Sequence, residues 1–200
     1  MHRGIILPSN RRGGPLEARE YVKVPKERIA VIIGKDGCVK KRLEQETKTK
    51  ITVDSNEGTV TIETTEETED PLSIWRARDI VIAMARGFSP ERAFRLLDEE
   101  QMLEVIDLTK IVGDSRNTLT RIKGRIIGEE GKSRRIIEET CGAAISVYGH
   151  TVSIIGDSDQ LQCAKKAIMM LIEGARHSTV YRAIQRMARA IKMKRIIPTT

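Results

Sequence analysis

The sequence predicts an α+β chain of two tandem β-α-α-β-β-α units, each a three-stranded antiparallel sheet packed on helices, with a connecting helix between them and a C-terminal helix after them. Three observations lead there. Ile32-Ile33-Gly34-Lys35-Asp36-Gly37 returns as Ile126-Ile127-Gly128-Glu129-Glu130-Gly131. At the same offset of 94 residues the match runs without a gap from Ile32–Val53 to Ile126–Val147, pairing Lys40-Lys41 with Arg134-Arg135, Leu43 with Ile137, Glu44 with Glu138 and Ile51 with Ile145. The register then slips by two, so that Thr59-Val60-Thr61-Ile62 meets Thr151-Val152-Ser153-Ile154, as expected for a shared hairpin whose turn is shorter the second time. Insertions confined to turns mark a duplicated fold.

In the first copy, Tyr21-Val22-Lys23-Val24 alternates and is stopped by Pro25, which reads as an edge strand. A short helix follows over Glu27 to Ile33, is broken by Gly34 and Gly37, and gives way to a second helix from Cys38 to about Thr47. Ile51-Thr52-Val53 and Thr59 to Ile62 form a hairpin across the turn formers Asp54 to Gly58. Asp70-Pro71 reads as an N-cap and N1 proline, opening a helix whose apolar stripe is Ala77, Ile80, Val81, Met84 and Phe88.

The second copy repeats the order, with a strand over Glu104 to Leu108 and a helix over Ser115 to Ile127. Ser146 to Tyr148 and Val152 to Ile155 bracket a tight Gly149-His150 turn. Leu161, Ala164, Ile168 and Leu171 lay an apolar stripe along the last helix of the unit. Between the copies Ser89-Pro90-Glu91 starts a connecting helix expected to pack on both units and limit flexing. Val180, Ile184, Met187 and Ile191 make one face of a C-terminal helix that carries Arg182, Arg186 and Arg189 on another. The expected boundaries are a flexible tail over 1–15, units over 16–88 and 104–176, the connecting helix over 89–103, and a basic helix and tail over 177–200.

Composition narrows the function. The 200 residues carry a formal net charge of +7. Residues 1–100 hold 18 Lys and Arg against 18 Asp and Glu, and residues 101–200 hold 17 against 10, so the excess lies wholly in the second half. A net positive surface attracts polyanions. Cys38, Cys141 and Cys163 are odd in number and lack any Cys-x-x-Cys spacing, which reads as a reducing compartment with neither a disulfide framework nor a zinc site. No apolar run approaches the roughly 20 residues of a membrane span. A soluble cytoplasmic protein is expected. Phosphate-loop, nucleophile-elbow and metal-ligand signatures are absent from the sequence, so an enzyme, a metal and a cofactor are not expected. His150 and His177 read as surface residues.

The chemistry resides in the Gly-x-x-Gly elbows. A loop of that kind turns backbone amides and the positive end of the following helix toward a phosphate chain, and a side chain at either glycine would hold that backbone away. This arrangement, in a β-α-α-β-β-α unit, resembles the type I KH domain, whose loop clamps about four nucleotides of a single strand over an apolar groove. Aromatic residues make up only 3% of the chain, which disfavours folds that read bases by stacking. Candidate RNA-binding residues are Gly34, Lys35, Asp36, Gly37, Lys40 and Lys41 in the first copy. Their counterparts are Gly128, Glu129, Glu130, Gly131, Lys132, Arg134 and Arg135. Lys35 adds a cation to the clamp and Asp36 subtracts it. Glu129 and Glu130 repel phosphate, and Lys132, Arg134 and Arg135 screen them. Arg182, Arg186 and Arg189 are candidates for docking RNA or a protein partner.

Both copies place a base, Lys40 and Arg134, three positions past the second glycine, where most KH domains have an aliphatic residue. With Gly124-Arg125-Ile126-Ile127-Gly128, Gly87-Phe88-Ser89-Pro90-Glu91-Arg92-Ala93 and His177-Ser178-Thr179-Val180-Tyr181, this resembles the partner-of-Nob KH proteins of ribosome assembly, from about Tyr21 to Arg189. The size is more like an archaeal member. The resemblance implies two type I KH domains that bind the 3′ region of small-subunit rRNA precursor. It also implies cooperation with the endonuclease that matures that end and, in archaea, association with the alpha subunit of initiation factor two. The acidic Glu129-Glu130 pair departs from the family's loop. The expected function is a non-enzymatic single-stranded-RNA-binding assembly factor. The alternatives are a scaffold in which the KH folds are architectural and recruit the endonuclease or initiation factor, and a single-stranded-DNA or transcription-related KH protein.

Overall fold

The computed structural model describes residues 18–68 and 70–196. The tail expected over residues 1–15 and the last four residues of the chain lie outside them. Among the described residues no helix is long and apolar enough to cross a membrane. The chain divides between Ala85 and Arg86 into two compact units.

The first unit runs β1 (Arg19–Lys23), α1 (Lys26–Ile33), α2 (Cys38–Thr47), β2 (Thr49–Asp54), β3 (Thr59–Thr64) and α3 (Ser73–Ala85). Its antiparallel sheet has the order β1-β3-β2, which leaves β1 and β2 as edges. The register pairs Val22 with Val60, Ile51 with Ile62 and Val53 with Val60. Strand side chains alternate in direction, so Ile51, Val60 and Ile62 line the core face and are buried, while Lys50 and Thr52 face water. Leu43, Ile32 and Ile80 close the core from the helices, and α3 lies against β1, β3 and α1.

Two expectations for this unit are corrected. The helix expected from Pro71 begins at Ser73, because Asp70 Oδ1 accepts the Leu72 amide at 2.8 Å and its carbonyl accepts the Ser73 amide, closing a turn ahead of the helix. The expected stripe also overruns. The helix ends at Ala85, Gly87 has φ +97°, and the buried Phe88 belongs to the second unit.

The second unit opens with a short helical segment, α4 (Pro90–Ala93), that tightens into a 3-10 turn over Phe94–Leu97. It then runs β4 (Met102–Asp107), α5 (Thr109–Val112), α6 (Arg116–Ile127), α7 (Lys132–Cys141), β5 (Ala144–Tyr148), β6 (Thr151–Gly156), α8 (Ser158–Ile172) and α9 (His177–Ile196). The sheet order β4-β6-β5 repeats the first. Ile145 pairs with Ile154 and Val147 with Val152 on the core face. The first strand starts earlier than expected and ends at Asp107. Leu108 instead leads into α5, a helix the sequence reading did not contain, where Asp107 Oδ1 accepts the Thr109 hydroxyl at 2.7 Å and its amide at 3.0 Å. The Thr109 hydroxyl, followed by its amide, holds the Asp107 carboxyl below its ordinary pKa.

Helix α8 starts on a capping box, Asp157 accepting the Gln160 amide while the Gln160 side chain accepts the Asp157 amide. Helix α9 packs on α7 and α8, with Val180 and Ile184 fully buried in the same core as Ile137 and Leu171. It therefore forms part of the unit's core. His177, expected at the surface, is half-buried and hydrogen-bonds the Arg125 carbonyl through Nε2 at 2.9 Å. The segment ahead of β4 is also bound to this unit. The Ser146 hydroxyl donates to the Arg86 carbonyl at 2.9 Å, Arg92 pairs with Glu138, and Arg95 reaches the Gly142 carbonyl at 3.4 Å.

Candidate nucleic-acid interface

Each elbow joins two helices of its unit through one short 3-10 turn, Lys35–Gly37 in the first and Glu129–Gly131 in the second. The two share one backbone. Gly34 has φ, ψ of 73°, 174° and Gly128 has the same, while Gly37 at 76°, 13° is matched by Gly131 at 77°, 12°. The middle residues are also left-handed, Asp36 at 53°, 25° and Glu130 at 49°, 28°. Non-glycine residues seldom adopt that region, and aspartate tolerates it better than glutamate.

The two glycines are needed for different reasons. The conformation of Gly34 and Gly128 is almost confined to glycine. A Cβ on Gly34 would lie 2.9 Å from the Val39 amide nitrogen, and one on Gly128 2.7 Å from that of Ser133. The first glycine thus lets the elbow close onto the following helix. At Gly37 and Gly131 the nearest atoms to a Cβ are 3.8 and 3.9 Å away, so only the positive φ matters there. The amides of Gly34 and Gly37 donate to the Ala30 and Gly34 carbonyls, and that of Cys38 to Lys35. Glycine amides are therefore bonded inside the elbow. Neither α2 nor α7 has a side-chain cap or an acid in its first turn, so its N-terminal partial positive charge is unopposed there by its own residues.

Around the first elbow, Lys35, Asp36 and Lys41 are exposed and Lys40 is half-buried. Lys40 Nζ lies 3.6 Å from Glu44 Oε1. Around the second, Glu129, Glu130, Lys132 and Arg135 are exposed, and Arg135 donates to the Glu130 carbonyl at 3.2 Å. Arg134 is half-buried, its Nε 4.0 Å from Glu138 Oε2 and without a hydrogen-bond acceptor. The two bases three positions past the second glycines thus lean toward a glutamate one turn further on. That glutamate in turn accepts an edge-strand amide, Glu44 Oε1 from Ile51 at 2.8 Å and Glu138 Oε1 from Ile145 at 2.6 Å. Sequence reasoning did not single out Glu44, Glu138 or Arg92. The alignment of Glu44 with Glu138 and of Ile51 with Ile145 was the signal available.

Arg182, Arg186 and Arg189 are exposed on α9 and line one shallow groove with Thr179 and Gln185. No acidic residue occurs in the 20 residues of this helix. Among the described residues no cluster of His, Cys, Asp or Glu is arranged to hold a metal ion.

Comparison with known proteins gives matches over both units. A family model described as Krr1 KH1 domain matches residues 21–99, and one described as eukaryotic type KH-domain, type I, matches residues 102–189. A KH domain-containing protein of Methanocaldococcus jannaschii is 49% identical over 176 residues, 88% of this chain and 77% of that protein. The crystal structure of Dim2p from Pyrococcus horikoshii is 57% identical with a TM-score of 0.80, covering 84% of this chain and 99% of that one. In the crystal structure of a complex of a/eIF2alpha, aDim2p and rRNA from the same organism, the matching chain is 55% identical with a TM-score of 0.83, covering 88% of this chain and 97% of that one.

Proposed function

Because the chain belongs to the Dim2, or partner-of-Nob, family of KH-domain proteins, we propose that it is a small-subunit ribosome assembly factor that binds the 3′ region of rRNA precursor as a single strand and assists its maturation. The observation that carries this reading is the pair of elbows with one backbone geometry, each opening a helix whose first turn is free of acids and side-chain caps. The Pyrococcus complex with rRNA supports the choice of ligand.

In this reading the strand's phosphates lie against Lys35 and the start of α2 in the first unit, and against Lys132, Arg135 and the start of α7 in the second. Glu129 and Glu130 weaken the second clamp, so the first grips more of the backbone charge. The arginine face of α9 adds cations or receives a protein, and the initiation-factor alpha subunit in the Pyrococcus complex makes that protein a candidate partner. An endonuclease maturing the bound end is the other. The protein itself carries out no chemistry in this account, and it works in the cytoplasm.

The test is a salt titration of binding to a single-stranded small-subunit rRNA fragment. With about four phosphates engaged, log K falls against log salt with a slope of about −3. Replacing Lys35 by aspartate weakens binding, and charge reversal at Arg182, Arg186 and Arg189 together removes partner binding. Affinity that does not change between low and moderate salt overturns the proposal.

A further inference from the structure

The second unit holds Cys141 and Cys163 in its core. Cys141 is the last residue of α7, and Cys163 lies in the second turn of α8. The strands β5 and β6 separate them in sequence, and the packing of α7 on α8 brings them back together. Both belong to one apolar cluster with Ile137, Leu161, Ala164 and Ala167. Cys163 is fully buried, its Sγ 3.9 Å from the Ile184 carbonyl of α9, while Cys141 keeps 8% of its surface in water. The Cys163 thiol, followed by burial, pushes the Cys141 thiol up, and for neither sulfur does any group other than its partner thiol and burial act. At the matching end of α2 in the first unit, Thr47 donates its hydroxyl to the Leu43 carbonyl at 2.7 Å and shares a second hydrogen bond of 2.7 Å with the Thr49 hydroxyl. In the second unit a sulfur meeting a sulfur from the neighbouring helix stands in place of that local pairing.

We propose that Cys141 and Cys163 are an oxidative modification site, a dithiol that a hydroperoxide converts into a disulfide tying α7 to α8. Cys141 reacts first, because it has surface in water and sits at a helix end, which frays. Its sulfur gives an electron pair to one peroxide oxygen, the O–O bond breaks, and the other oxygen leaves with the thiol proton, as water when the oxidant is hydrogen peroxide. The product is a sulfenic acid. The Cys163 sulfur then attacks the Cys141 sulfur, the S–S bond forms, the S–O bond breaks, and the hydroxyl leaves as water with the Cys163 proton. The two thiols lose two electrons and two protons together, and the peroxide is reduced. The thiolate is the attacking form, so the raised Cys141 thiol makes the first step slow near neutral pH and faster as pH rises.

The bond closes a loop of about 20 residues that contains β5 and β6, and it stabilises the second unit chiefly by restricting its unfolded chain. It also fastens the helix opened by the second elbow to α8, whose Cys163 already touches α9. A pair this far apart leaves no short Cys spacing in the sequence. In a reducing compartment it stands as two thiols, the state of this structure. Cys38 takes no part: it is exposed in the first unit, which has no second cysteine.

The experiment treats the full chain carrying Cys38→Ser, a change at an exposed residue, with hydrogen peroxide over a range of pH. Thiols titrated after unfolding fall from two to none, the mass drops by two hydrogens without gain of oxygen, and digestion yields one peptide pair joined through Cys141 and Cys163. Dithiothreitol restores both thiols. The oxidised protein unfolds its second unit at a urea concentration higher by about 1 M or more, followed by the NMR signals of Ile145 and Ile154. With Cys163→Ser added, the Cys141 sulfenic acid finds no partner and is trapped by dimedone. The linked-peptide measurement involves no substitution in the core and so stands even if Cys163→Ser fails to fold. Two thiols still free after a treatment that oxidises the urea-unfolded chain, sulfinic acid on either residue without the linked peptides, or disulfides formed only between molecules would each overturn the proposal.

Discussion

Alanine at the first glycine of an elbow and alanine at the second should have very different costs. Gly34 occupies φ 73°, ψ 174°, a region whose use by another residue costs roughly 1–3 kcal/mol. The added Cβ would also press within 2.9 Å of the Val39 nitrogen, a backbone atom at the start of α2 that moves only with the helix, and overlap of this kind costs about 1–3 kcal/mol more. Gly34→Ala is therefore expected to destabilise the first unit by about 4 kcal/mol. Gly37→Ala meets nothing closer than 3.8 Å and pays only the left-handed φ of 76°, about 1–2 kcal/mol, partly offset by the stiffer unfolded chain. Trp75, the sole tryptophan, sits on α3 of this unit, so its fluorescence follows the first unit's unfolding in urea. With a slope of about 1–3 kcal/mol/M, the midpoint of Gly34→Ala falls roughly 0.7–3 M below that of Gly37→Ala. Gly128→Ala and Gly131→Ala, read by circular dichroism, follow the same order, since a Cβ meets the Ser133 nitrogen at 2.7 Å in the first and nothing within 3.9 Å in the second. Equal midpoints for Gly34→Ala and Gly37→Ala would refute the idea that the first glycine exists to close the elbow onto the helix.

Lys48, which ends α2 at φ 50°, occupies a left-handed position where the second copy has Gly142 at φ 75°. Lys48→Gly should raise stability by up to about 1 kcal/mol, seen as a higher urea midpoint of Trp75 fluorescence, and a lower midpoint would show that the lysine side chain is needed. Asp107 has its pKa lowered by the Thr109 hydroxyl and amide, so its contribution is complete above the unfolded value of about 3.9 and is lost as pH falls through the lower folded value. Thr109→Val removes the larger cause, and carbon-detected NMR should find the Asp107 carboxyl titrating at higher pH than in the wild type; an unchanged midpoint contradicts the assignment. Cys38 is exposed at the start of α2, whereas Cys141 and Cys163 are buried, and the neighbouring Cys163 thiol and burial push the Cys141 thiol up. A maleimide should label Cys38 alone in the native protein, and bound RNA should slow that labelling; labelling of a second thiol on the same timescale contradicts the burial.

The elbows were legible in the sequence because a glycine-confined backbone angle leaves its mark as glycine, and the duplication repeated that mark at one spacing. Strand pairing was legible for a similar reason: Ile51 and Ile62, or Ile145 and Ile154, must alternate with polar neighbours to share one face. What periodicity could not show was where helices stop and what the chain's distant parts supply. Asp70 carries the chemistry of a cap but spends it on a turn, so α3 begins two residues later than Pro71 suggested. Phe88 fits the helical spacing of α3, yet Gly87 has already turned the chain away. Helix α5, at four residues, is shorter than any periodic signal. In the site, matching Glu44 to Glu138 marked a shared position, but the partners that set them apart lie far off in sequence. Arg92 is 46 residues from Glu138, and His177 is 52 from the Arg125 carbonyl it anchors on.

The account stands most directly on whether a single strand lies against the two elbows. Adding a single-stranded small-subunit rRNA fragment to isotope-labelled protein at low salt and following backbone amide shifts tests this residue by residue. The largest changes are predicted over Lys35 to Lys41, with a second, smaller set over Lys132 to Arg135, and both should fade as salt is raised. Shifts confined to α9, with both elbows unmoved at saturating RNA, would contradict it.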